Sequence, residues 1–324
     1  MTKIAIIYTG EVRTCESTLP YFVENVLSDE NYHVFSIIQI NDINKEDFFK
    51  NLFRTTIGEH LKSLDFFDKN NIDWIHLRES LLRNMSISDY WKIYLRHSGS
   101  MIEYYQMYLA FKNLEIYEKN NNFTYDYILR FRTDTILKDK ITFNTKEYNE
   151  EYIKNLLYKI KSKLSCDTII SEEILLHFMN IFYNEKRINY MKFYFDNKLI
   201  SDNIKNILKI TDENDFIKSL KTYINDGNYI ITLRTNVIYF LKRELMDKIH
   251  ILGITYGSYT SENNDYWFNA ESQLKQICLI NNIDFYSSTS SLEGQSLYEY
   301  NYTNYFDETN NLIDNKYSFF IKRH

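Results

Sequence analysis

Proline occurs once, at position 20, alanine three times, at positions 5, 110 and 270, and glycine seven times in 324 residues. That scarcity excludes a collagen-like chain, a polyproline spacer and a Gly/Ser linker array. The depleted residues are those with GC-rich codons, whereas Ile, Asn, Lys and Tyr abound, so the bias reads as an AT-rich genome and not as a structural device. Cysteine stands only at 15, 166 and 278, an odd number without CxxC spacing. This argues against a disulfide framework or a zinc site and fits a reduced, cytoplasmic protein. The seven histidines lack His-x-x-x-His spacing. No apolar run is long enough to cross a bilayer, and the stretch Ile4 to Tyr8, closed at once by Gly10, is too short for a secretory signal. A formal charge of −6 with no basic stripe excludes a nonspecific nucleic-acid binder. Also missing are the Gly-x-x-x-x-Gly-Lys-Ser/Thr loop, the Gly-x-Gly-x-x-Gly fingerprint and the Gly-x-Ser-x-Gly elbow.

What is abundant is aromatic. With 29 Tyr and 22 Phe the chain has ample material for a core, and its length suits one large α/β domain or two smaller ones. Lys3 to Tyr8 reads as a strand covered on both faces, Thr9 to Thr14 as a turn, and a helix opens near Ser17 or Thr18 with Pro20 in its first turn. His33 to Ile40 predicts a second strand, Glu46 to Phe67 a helical stretch broken near Gly58, and Ile72 to Leu77 a third strand. Ser100 to Asn120 predicts the longest helix. Its apolar face is Ile102, Tyr105, Leu109 and Ile116, widened by Met101 and Tyr108, with Ser98 or Ser100 as cap and Glu103 at the capping-box position. Strand, helix and strand in succession predict a mostly parallel central sheet with helices on both faces. Residues 145–226 read as a helical insertion within a single domain spanning 1–324, with helices at 150–164, 171–185 and 212–225 and a short strand from Cys166 to Ile170. Strands then return at Tyr229 to Leu233 and Val237 to Phe240. A helix from Lys242 to His250, a loop from Gly253 to Asn264, a helix from Tyr266 to Asn281 and an irregular tail beyond Ser287 follow.

One segment concentrates chemistry. In Tyr125-Asp126-Tyr127-Ile128-Leu129-Arg130-Phe131-Arg132-Thr133-Asp134-Thr135 a buried strand ends in two arginines and an aspartate, and alternation puts Arg130, Arg132 and Asp134 on one face. Such groups either pair with one another, as a structural ion pair, or face a polar ligand. In the second case Asp134, at the carboxyl end of the strand, stands where α/β enzymes hold a metal ion and an anionic substrate. The turn Thr9-Gly10-Glu11-Val12-Arg13-Thr14 offers a close backbone approach at Gly10, a bidentate phosphate contact at Arg13 and a helix start behind it, although an ordinary βα turn has the same composition.

Together the Gly-x-x-Arg-Thr turn, a long helix with Gln106 near its start, and Tyr-Asp-Tyr-Ile-x-Arg-x-Arg-x-Asp resemble nucleotide-sugar-dependent glycosyltransferases of the GT-A type. WavE-like lipopolysaccharide-synthesis enzymes and related proteins of giant DNA viruses are the nearest in pattern. The resemblance runs over about residues 1–140, is thinner from 228 to 285, and is absent across the insertion. It implies a GT-A-like, Rossmann-like α/β fold and transfer of a sugar from a UDP- or GDP-linked donor to a hydroxyl on a glycan or glycoprotein acceptor. Asp134 then takes the place of the metal-binding aspartate, holding Mn²⁺ or Mg²⁺ at the donor diphosphate. The motif here has one carboxylate where two are usual, so Arg130 or Arg132 could share the electrostatic work, and a noncatalytic carbohydrate-binding protein of the same fold is the alternative. Thr9, Gly10, Arg13, Arg130 and Arg132 form the expected nucleotide-sugar contacts, with Asn41 and Asp42 for the base or ribose, or else as a solvated turn. Glu271 is the candidate general base, Asp265 a second candidate or a helix N-cap, Trp267 a sugar-stacking or core residue, and Gly253 to Asn264 a lid.

Overall fold

A computed structural model of the chain describes residues 2–27, 30–85, 87–182, 202–234, 236–255, 270–287, 294–297 and 319–322. The first half alternates strand and helix: β1 (Ile4–Glu11), α1 (Cys15–Val26), β2 (Tyr32–Gln39), α2 (Glu46–Ile57), β3 (Leu61–Phe67), α3 (Ile72–Asn84), α4 (Asp89–His97), α5 (Ser100–Asn121) and β4 (Tyr127–Arg132). A short β5 (Thr135–Leu137) precedes four helices, α6 (Glu150–Leu164), α7 (Glu172–Ile181), α8 (Asp202–Leu208) and α9 (Glu213–Asp226). The chain returns through β6 (Tyr229–Arg234), β7 (Ile238–Lys242), α10 (Arg243–Thr255), α11 (Ala270–Ile280), β8 (Asp284–Ser287), β9 (Gly294–Leu297) and β10 (Phe319–Lys322).

The fold is α/β. Its main sheet has seven strands in the order β3-β2-β1-β4-β7-β6-β8, in which β7 alone runs against its neighbours. The central strands carry apolar side chains on both faces because helices cover both. On one face Ile4, Ile6, Tyr8, Leu129 and Phe131 meet α1 and the helices of the 145–226 span, whose Leu157, Phe178 and Phe216 belong to the same core. On the other face Ala5, Ile7, Ile128 and Tyr239 meet α5, α10 and α11 through Met107, Phe111, Met246 and Leu274. A second sheet, β5-β10-β9, joins the segment after β4 to two strands near the chain end.

Several expectations change. Leu61–Phe67 is an edge strand and not helix, because α2 stops at Gly58, whose φ of 63° breaks the helical path. Conversely, Ile72 opens a helix and not a third strand. The Asn71 side chain accepts hydrogen bonds from the N–H groups of Asp73 and Trp74 and so caps it, leaving Ile72 and Leu77 outside while Trp74 is buried. Helix α1 starts earlier than expected, so Pro20 sits within it and not in its first turn. Cys166 to Ile170 forms no strand, and the tail beyond Ser287 contributes β9 and β10. The apolar face of α5 is also rotated. Met101, Tyr104, Met107, Ala110, Phe111 and Leu114 are buried, while Ile116 is 58% exposed. That rotation turns Glu103 and Gln106 toward the sheet.

Candidate active site

From β1 the chain crosses to β2 on one side, and β4 enters on the other side of β1. Between the carboxyl ends of β1 and β4 lies the crevice that such a reversal of strand order opens in an α/β sheet. A cleft of about 380 Å³ occupies it, walled by Gly10 and Glu11 at the end of β1, Arg13 beyond it, Arg130 and Arg132 of β4, Thr133 and Asp134 of the following turn, Glu103 and Gln106 of α5, and Glu271 of α11.

The two strand ends approach each other very closely at Gly10, which has φ 154° and where a Cβ would lie 2.1 Å from Thr133 Oγ1. Thr133 returns the contact, its N–H donating to the Thr9 carbonyl at 3.2 Å and its hydroxyl to the Glu11 carbonyl at 2.9 Å. From α5, Gln106 Nε2 donates to the carbonyls of Gly10 at 3.0 Å and Ile37 at 3.3 Å. Gly10 is therefore required for the approach of protein to protein. A side chain at this position would push the crevice open.

Four side chains form a line across the crevice. Arg132 donates through Nε to Asp134 Oδ1 at 3.0 Å and through Nη2 to Oδ2 at 2.6 Å, a fork-on-carboxylate pair. Its remaining nitrogen, Nη1, lies 3.1 Å from Glu103 Oε1, and Asn236 Nδ2 donates to Glu103 Oε2. Asn236 adopts φ 58° in the β6–β7 turn, a left-handed conformation that Asn tolerates. The Arg132 and Asp134 side chains are 7% and 5% exposed, whereas Glu103 keeps 23% of its surface open. Burial works against the Arg132 charge, but Glu103 and Asp134 outweigh it and raise its pKa. Burial pushes the Glu103 carboxyl above the usual range; Arg132 and Arg130 oppose this, and Glu271 and Asp134 add to it.

Arg130 lies beneath this line, fully buried. Its Nη1 donates to the carbonyls of Thr9 and Phe131, while Nε and Nη2 have no hydrogen-bond partner among the described residues. Burial lowers its pKa, although Tyr239 and Glu103 counteract the effect.

The expected residues divide accordingly. Arg130, Arg132, Asp134, Gly10, Arg13 and Glu271 all line the cleft. Arg13 stands at its lip, with Nε 3.4 Å from Glu11 Oε2. Thr9 is buried below the lining, where its carbonyl serves Thr133 and Arg130. Asn41 donates to Glu11 Oε1 outside the lining, and Asp42 caps a single helical turn through the Asn44 N–H. Asp265, Trp267 and residues 256–264 of the expected lid lie outside the described residues. Gly253 to Thr255 belong to α10. Glu103 was hidden in the sequence by its capping-box spacing. In the structure the N-cap is Gly99, with no side-chain cap, and Glu103 turns to Arg132 instead.

The donor set for a divalent cation does not fit here as it stands. Both Asp134 oxygens already accept from Arg132, and no group of three His, Cys, Asp or Glu among the described residues is arranged to hold a metal. The positive charge facing the cleft comes from arginine.

No protein-family model matches the chain, and neither does any curated protein. Among solved structures the chain is similar to mouse xyloside xylosyltransferase 1 in its apo form, at 9% identity and a TM-score of 0.36, over 99% of this chain and 97% of that one. A likeness so distant assigns no activity.

Proposed function

We propose that this protein is a glycosyltransferase that moves a sugar from a UDP- or GDP-linked donor to a hydroxyl of a glycan or glycoprotein in the cytoplasm. The observation that carries the reading is the cleft at the β1–β4 crevice, where guanidinium and carboxylate side chains converge. The chemistry needs both kinds of group. Guanidinium groups stabilise charge that grows on the departing diphosphate, and a carboxylate takes the proton of the acceptor hydroxyl. Arg13 at the lip is placed to meet phosphate oxygens, and Glu271 faces the cleft from α11. A Mn²⁺ or Mg²⁺ ion at the diphosphate would have to draw Asp134 away from Arg132.

A noncatalytic carbohydrate-binding protein is the second reading. It is favoured by one observation: Arg132 spends its charge on Asp134 and Glu103, which leaves less for an anionic donor. A thermal-shift panel of nucleotide sugars, nucleoside diphosphates and free oligosaccharides, run with Mn²⁺ and with EDTA, separates the two. Stabilisation by one nucleotide sugar, with release of its nucleoside diphosphate on adding acceptor, supports the transferase. Stabilisation by an oligosaccharide alone overturns it.

A further inference from the structure

Four carboxylates line the cleft, and their surroundings differ enough to assign them different work. Glu11 is held at the lip by Asn41 and Arg13. Asp134 gives both oxygens to the Arg132 fork and is nearly sealed. Glu271 stands in the first turn of α11, opposite α5. Glu103, like Glu11, is both gripped and part-open, but it alone of the two shares the buried Arg132 guanidinium. It receives one Arg132 nitrogen on Oε1 and the Asn236 amide on Oε2, while part of its side chain faces the cleft. A carboxylate has about four acceptor positions, so one ion-pair contact and one hydrogen bond orient it and leave acceptor capacity on each oxygen.

Charge points the same way. One guanidinium serves two carboxylates, and Asp134 holds it through two hydrogen bonds against a single contact to Glu103. Glu103 therefore has the weaker hold on Arg132 and takes the rest of its compensation from Arg130 beneath it. The charged groups facing it are Arg130 and Arg132 from β4, Asp134 from the turn that follows, and Glu271 from α11. Burial and the two neighbouring carboxylates raise its proton affinity against the pull of Arg132 and Arg130, which suits a carboxylate that accepts a proton.

We propose that Glu103 is the catalytic proton acceptor of this cleft, with Arg132, Asp134 and Asn236 as the residues that position it. The inference rests on the transferase reading. As the acceptor oxygen bonds to the anomeric carbon, its O–H bond breaks and the proton passes to a Glu103 oxygen. The bond from the anomeric carbon to the diphosphate breaks at the same time, and its electron pair leaves on the nucleoside diphosphate. Glu103 then returns its proton to water.

The test compares native protein, Glu103→Gln, Glu103→Asp and Glu271→Gln, using the nucleotide sugar that stabilises the native protein in the panel above and following nucleoside diphosphate release from pH 5 to 9. Glu103→Gln is expected to lower kcat about 100-fold or more while donor affinity in a thermal-shift titration is kept. Glu103→Asp should restore part of the rate, and the acid limb of the native kcat/KM profile should be lost in Glu103→Gln. Should Glu103→Gln fail to fold, Glu103→Asp carries the test, since a shorter acid must lower kcat and shift the acid limb. Turnover by Glu103→Gln within tenfold of native, an unchanged acid limb in either variant, or loss of the limb in Glu271→Gln instead would each overturn the assignment. Absence of turnover in the native protein with every donor removes the transferase reading itself, and this inference with it.

Discussion

Replacing Arg132 by methionine keeps most of the buried stem and removes the charge that binds three elements of the cleft. The native guanidinium contacts Asp134 at 3.0 and 2.6 Å and Glu103 at 3.1 Å, and neither Arg132 nor Asp134 has more than 7% of its side chain in solvent. Arg132→Met leaves the Asp134 carboxylate buried without this counter-charge, which costs about 3–5 kcal/mol. Against a total stability of about 5–15 kcal/mol that is a large fraction. Urea denaturation, followed by fluorescence of the buried Trp74, measures it. The cost should shrink toward low pH, because an unpaired buried carboxylate has its folded pKa raised and takes up a proton more readily than the unfolded chain. Adding Asp134→Asn in the Arg132→Met background should regain much of the loss, since a neutral amide removes the stranded charge. A loss under about 1 kcal/mol for Arg132→Met, or strict additivity of the two substitutions, would refute the buried-pair account.

Other substitutions test the frame around the cleft. Gly10→Ala combines an unfavourable φ of 154° with a Cβ 2.1 Å from Thr133 Oγ1, so a loss of about 2–5 kcal/mol is expected in thermal or urea denaturation. Thr133→Ala should recover only part of it, because the Thr133 Cβ also lies close, at 3.1 Å. His250 is buried against Phe111 and Tyr108, its ring nitrogens have no partner among the described residues, and burial lowers its pKa to about 3. The unfolded chain protonates this histidine below about pH 6.5 and the folded chain does not, so stability present above that value is lost as pH falls toward 3. His250→Phe should flatten the stability-versus-pH curve in that window, and an unchanged slope would contradict the assignment. Asn25 Nδ2 donates to the Leu137 carbonyl at 2.7 Å in a buried setting. Asn25→Ala should cost about 1–3 kcal/mol by orphaning that carbonyl, as read by denaturant midpoint.

The sequence carries the α/β class, the inner strands and the chemistry of the Arg-x-Arg-x-Asp segment, because doubly covered strands show as continuous apolar runs and buried charge stands out among them. Leu61–Phe67 was illegible for the opposite reason. An edge strand buried on part of one face has no continuous apolar run. The Ile72 helix reads as a strand because its two outward apolar residues imitate one, while its real signal, the Asn71 cap, is a single local residue. The site divides in the same way. Alternation predicts Arg132 and Asp134 on one face, but β4 ends at Arg132 and Asp134 lies in the turn after it, and whether the two bind each other or a ligand depends on rotamers that spacing does not encode. Glu103 depends on the rotation of α5, and Asn236 on a turn more than a hundred residues away in sequence. Neither contact leaves a trace in local pattern.

The single reversed strand has a consequence for redesign. Because β7 runs against the rest, β6 and β7 form a hairpin whose turn projects over the same rim as β1 and β4, and it brings Asn236 to Glu103. Seven strands all in one direction would need long crossovers, with no tight hairpin turn at that rim. The reach of the turn can therefore be altered by insertion there, at the end of the β6–β7 ladder and away from the β1–β2 and β1–β4 pairings. Libraries that probe the setting of Glu103 should vary this turn and leave the buried Arg132–Asp134 pair intact.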